Sequence, residues 1–64
     1  DLWNLFDGIC FDHDNNIIML QMKTNAWAKE KPLKQFAKDH KNIKVLSINV
    51  KGEKGKWNVY TREY

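Results

Sequence analysis

The chain has 64 residues, a net charge of +3, a hydrophobic fraction of 42% and three tryptophans. That composition excludes a disordered chain, and the length excludes more than one small domain of modest stability. No apolar run approaches the roughly 18 residues of a membrane span, and no signal-peptide pattern is present.

In chain order, residues 6–11 and 17–23 read as two strands, and DHDNN (residues 12–16) as the turn between them. From Pro32 to about His40, the spacing Leu33, Phe36, Ala37, His40 is the stripe of an amphipathic helix. Pro32 fits the first turn, so the helix is expected to start there. Residues 43–50 (IKVLSINV) are β-branched and apolar on both faces, as in an interior strand. KGEKGK (residues 51–56) reads as a turn into a last strand, WNVYTREY, which alternates Trp57, Val59, Thr61 against Asn58, Tyr60, Arg62. The expected architecture is α/β: β-β-α-β-β, with one right-handed crossover helix on a four-stranded mixed sheet, forming a single domain over residues 1–64.

Ten of the eleven basic residues are lysines, concentrated after Lys23, whereas Asp1, Asp7, Asp12 and Asp14 crowd the start. An acidic start before a basic remainder suits a metal site beside a phosphate-binding surface, or ordinary surface lysine. The single cysteine, Cys10, has no partner for an internal disulfide, which points to an intracellular, cytoplasmic setting. The chain begins at Asp1 without methionine, as a fragment, a processed product or a domain cut from a longer protein would.

Three polar residues interrupt the apolar strands: Asp7, Gln21 and Lys23. Burying such groups without partners costs a few kcal/mol each, so they sit at the core's edge or serve a purpose. Alternation puts Gln21 and Lys23 on the side of Ile17 and Met19. If DHDNN is a five-residue loop with Phe11 facing Ile17, then Ile9 faces Met19 and Asp7 faces Gln21. Opposed residues have Cβ atoms about 4.5–5.5 Å apart, so Asp7, Gln21 and Lys23 would form one cluster. A one-residue slip would destroy it. A carboxylate and an amide oxygen beside a lysine suit a hard divalent cation such as Mg²⁺. Zinc is not expected, because paired thiolates and clustered histidines are missing; His13 reads as a turn residue and His40 as a helix-end residue.

At these residues the sequence resembles the PD-(D/E)xK nuclease superfamily, in its restriction-endonuclease-like or Holliday-junction-resolvase-like branch. The matching parts are FDG before a strand, then IIMLQMKTN with a Gln-x-Lys form of the second motif, then PLKQFAKDHKNIKVLSINVKGEKGKW. The resemblance implies a small restriction-endonuclease-like core, truncated or minimal, and a metal-dependent endonuclease that hydrolyses phosphodiester bonds in DNA, with RNA left open. It implies Asp7, Gln21 and Lys23 as catalytic residues. Asp7, Gln21 and the Met22 carbonyl would hold Mg²⁺ or Mn²⁺, and Lys23 would assist the attacking water. Phe6 stands where the family usually has proline, Gln21 is neutral, and the family's N-terminal helix and its following strand have no counterpart.

Lys23, Thr24, Asn25, Trp27, Lys29 and Lys31 follow as candidate nucleic-acid contacts. Trp27 is open to two readings, stacking on a base or covering the sheet near the helix start. Lys29, Lys31 and Lys34 meet phosphates or form a solvated helix face, and Trp3 and Trp57 read as core or edge packing. One helix covers one face of a four-stranded sheet, so a homodimer is expected through the other. The alternatives are a non-catalytic nucleic-acid-binding or assembly module of the same fold, and an inactive fragment of a larger nuclease.

Overall fold

The computed structural model of the chain describes residues 5–64; Asp1 and Trp3 lie outside the described residues. The elements are β1 (Gly8–Phe11), β2 (Ile17–Thr24), α1 (Glu30–Asp39), β3 (Ile43–Glu53) and β4 (Lys56–Glu63). They form one four-stranded sheet ordered β1-β2-β3-β4, with β2 and β3 parallel and both outer pairs antiparallel. The expected α/β class, mixed sheet and β-β-α-β-β order are met. Among the described residues no helix is long and apolar enough to cross a membrane.

The turn between β1 and β2 is organised by one carboxylate. Asp12 Oδ1 accepts the Asp14 and Asn16 main-chain N–H groups (2.8 and 2.9 Å), and Oδ2 accepts Asn16 Nδ2 (3.1 Å). Asn15 supplies the positive φ, 64°, that closes the loop, a conformation asparagine tolerates well. Phe11 therefore pairs with Ile17, Cys10 with Ile18, Ile9 with Met19 and Gly8 with Leu20, the expected register.

Three boundaries differ from the sequence reading. β1 starts at Gly8 rather than at residue 6, because the chain bends at Asp7. Phe6 then turns into the core and meets Phe36 edge-on, 4.9 Å between ring centroids. The helix starts at Glu30, two residues before Pro32. Proline is accommodated at the third helical position because the first four N–H groups have no partner inside the helix. The KGEKGK turn contracts to Lys54 and Gly55, both at positive φ (49° and 78°), as in a tight hairpin turn between Glu53 and Lys56.

α1 lays Leu33 on the sheet, where Phe6, Met19, Ala28, Leu33 and Val45 form the buried core. Each of the larger side chains contributes roughly 1.5–3 kcal/mol by leaving water. His40 closes the helix, its Nδ1 3.0 Å from the Phe36 carbonyl and its ring stacked on Phe36. Glu30, in the first turn, reaches Lys34, Arg62 and the Tyr64 hydroxyl and so ties the helix start to β4. These ion pairs are half exposed and individually worth little.

The opposite face of the sheet is formed by alternate residues that include Ile18, Leu20, Met22, Leu46, Ile48, Val50, Trp57 and Val59. None of these is buried; Met22, Trp57 and Val59 are fully on the exposed side. Trp57 is therefore not a core residue. It lies at the edge with its ring against Gly52, where an added Cβ would approach the indole to 3.0 Å.

Candidate metal centre and nucleic-acid surface

The site begins with the bend at Asp7. Its N–H donates to the Leu20 carbonyl (2.8 Å), and its carboxylate then turns toward β2. There Oδ2 accepts the Met22 N–H at 2.8 Å, taking the place of a strand carbonyl in a continued ladder. Gln21 Oε1 accepts the same N–H at 3.2 Å. Two oxygens, one from the bend before β1 and one from β2, thus converge on the Met22 N–H at the edge of β2 that β1 leaves open.

Lys23, two residues on, projects from the face that carries Gln21 and is exposed. It forms no ion pair with Asp7. Within a strand, the N–H and C=O of one residue point to the same side, so the Met22 carbonyl emerges beside Asp7. The edge therefore gathers a carboxylate, an amide oxygen and a main-chain carbonyl. Both side-chain oxygens already accept the Met22 N–H, so their remaining lone pairs and a single formal charge are what the edge could offer a hard divalent ion, which fits weak binding. Among the described residues no three of His, Cys, Asp and Glu come together.

Ser47 is the neighbour of Gln21 across the parallel pair. It is fully buried, and its hydroxyl has no hydrogen-bond partner. Nothing in the sequence distinguished Ser47 from the other positions of IKVLSINV; only the parallel register brings it to the site.

The candidate nucleic-acid residues divide into two groups. Asn25, at φ 55°, is a structural latch: its N–H donates to the Val50 carbonyl and its Oδ1 accepts the Gly52 N–H, both at 2.8 Å. The next residue is fixed in turn, because the Ala26 N–H donates to Asn49 Oδ1 at 3.1 Å. Trp27 carries the Arg62 guanidinium 3.9 Å above its ring, a cation–π contact that sets it over the sheet near the helix start. Thr24, Lys29 and Lys31 are exposed and open to a ligand. Lys31, Lys34 and Lys38 line a shallow groove along α1 with Glu30 and Gln35; it shares no residue with the Asp7–Gln21 edge. Compared with known proteins, the chain matches no family model, no curated protein and no solved structure.

Proposed function

We propose that this chain is a metal-dependent nuclease of the PD-(D/E)xK type, of restriction-endonuclease-like fold, acting on phosphodiester bonds in DNA inside the cell. The observation that carries the reading is the convergence of Asp7 Oδ2 and Gln21 Oε1 on the Met22 N–H, with Lys23 next on the same face. Asp7, Gln21 and the Met22 carbonyl would hold Mg²⁺ or Mn²⁺, which supplies Lewis-acid polarisation of the phosphate and an acidified water. Lys23 donates to the attacking water or to the charge that develops on the phosphoryl oxygens. Thr24, Lys29 and Lys31 contact backbone phosphates beside the site, and Trp27 offers the rim of its ring.

A homodimer belongs to the same reading. The uncovered apolar face of β2 and β3 is the kind of surface that associates, and two copies would bring two sites to the two strands of a duplex. The single carboxylate at the edge favours a second reading, a nucleic-acid-binding module or inactive fragment that keeps the layout without the chemistry. Incubation with DNA and RNA substrates, with and without Mn²⁺, tests the first against the second. The nuclease reading expects metal-dependent cleavage that Lys23→Ala abolishes; substrate binding with no cleavage by the parent at any metal concentration overturns it.

A further inference from the structure

We propose that the end of the β3–β4 hairpin is a basic arm that lies along double-stranded DNA beside the Asp7–Gln21 edge. This deepens the DNA-directed reading above and rests on it. β2 stops at Thr24, paired with Val50, but β3 and β4 continue as a two-stranded ribbon through the pairs Lys51–Asn58, Gly52–Trp57 and Glu53–Lys56. Every residue from 51 to 60 is exposed, so no core burial supports the ribbon beyond the Trp57 ring on Gly52. It carries Lys51, Lys54 and Lys56 against Glu53 alone, and Glu53 is already engaged by the Tyr60 hydroxyl at 3.2 Å.

Alternation gives the ribbon a direction. Ser47 is level with Gln21, and Lys51 stands four residues further along β3 on the same face, with Lys56 two positions beyond it across the pair. At about 3.3 Å per residue, the lysines begin roughly 13 Å from the site and reach roughly 20 Å at the tip. That range matches about 4–6 base-pair steps of about 3.4 Å. A two-stranded ribbon also fits the width of the major groove. Asn25 fixes the base of the arm two residues after Lys23, so the arm and the site's lysine keep one relative position.

The test is binding of a short labelled duplex in EDTA, measured by anisotropy across a salt series. Lys51→Gln/Lys54→Gln/Lys56→Gln is compared with Lys34→Gln/Lys38→Gln/Lys41→Gln, which removes the same charge from the helix side. The arm variant is expected to bind about tenfold more weakly or worse, with a salt slope shallower by about one per lysine. Lys54→Gln alone, at the solvated turn, should show about a third of the change in slope. Equal losses in the arm and helix variants, an unchanged arm variant, or competition by single strands as strong as by duplex would each overturn the proposal. Because binding is measured without metal, it does not depend on cleavage: failure to cleave in the Mn²⁺ assay would count against the nuclease reading and leave this result unaffected.

Discussion

Asp7, at the bend before β1, and Gln21, fourteen positions later in β2, place their side-chain oxygens on one main-chain N–H, that of Met22, at 2.8 and 3.2 Å. The edge of β2 is thereby closed by side chains where a third strand residue would otherwise pair. A carboxylate held there serves as a strand cap or as a ligand, and the two roles respond differently to added metal.

Acid should weaken the fold through the β1–β2 turn. The main-chain and side-chain hydrogen bonds from Asn16, joined by Lys44 at 3.2 Å, hold the Asp12 carboxyl well below the usual carboxylate range. A depressed folded value stabilises the fold fully above the ordinary value of about 3.9, and that contribution is lost progressively as the pH falls from there toward the folded value. The melting temperature should therefore decline from about pH 5 toward pH 2. Asp12→Asn should melt lower than the parent at neutral pH and show a shallower decline, read by thermal scans across that range.

Much of this was legible in the sequence, for identifiable reasons. DHDNN has the length and the Asx chemistry of a closed turn, and that alone fixes the register from Phe11–Ile17 to Gly8–Leu20, after which Asp7 bends and reaches the Met22 N–H through its side chain. The helix stripe Leu33, Phe36, Ala37, His40 was equally plain, but its start was misplaced because a proline restricts only what lies before the first turn. The extension of β3 to Glu53 was hidden because lysines and glycine form a poor strand pattern; a solvated ribbon has no core to demand a better one. Ser47 beside Gln21 and Arg62 over Trp27 depend on contacts between distant segments, which local patterns do not carry.

The orphaned hydroxyl of Ser47 makes a prediction of opposite sign to most core changes. A buried donor without a partner costs about 1–3 kcal/mol, so Ser47→Ala should stabilise the fold by roughly 1 kcal/mol. In a chain of this size that corresponds to a rise of about 4–8 °C in melting temperature. A fall in melting temperature would show that the hydroxyl is engaged in solution.

Asn25 should be sensitive to replacement for two independent reasons. Alanine at φ 55° is strained by about 1–2 kcal/mol, and the Gly52 N–H loses its partner. Asn25→Ala should melt lower by several degrees and loosen the ribbon, whereas Asn25→Gly should recover the backbone share of the loss. Hydrogen exchange at the Gly52 amide reports the latch directly and should accelerate in both variants.

The uncovered sheet face should associate. Sedimentation of the parent at micromolar concentration is expected to give a dimer, and Val59→Lys, at an exposed position of that face, a folded monomer. A monomeric parent would remove the dimer from the account.

The central claim is that Asp7 and Gln21 face a divalent ion, and Gln21→Glu tests it most directly. A second carboxylate tightens binding of Mg²⁺ if an ion sits between them, because affinity rises with ligand charge. Without an ion, two neighbouring carboxylates disfavour each other's ionisation and the variant is simply less stable. Thermal melting of parent and variant, with and without Mg²⁺, separates these outcomes. Added Mg²⁺ should raise the melting temperature of Gln21→Glu by more than it raises that of the parent; equal, metal-independent curves would contradict the assignment of Asp7 and Gln21 as metal ligands.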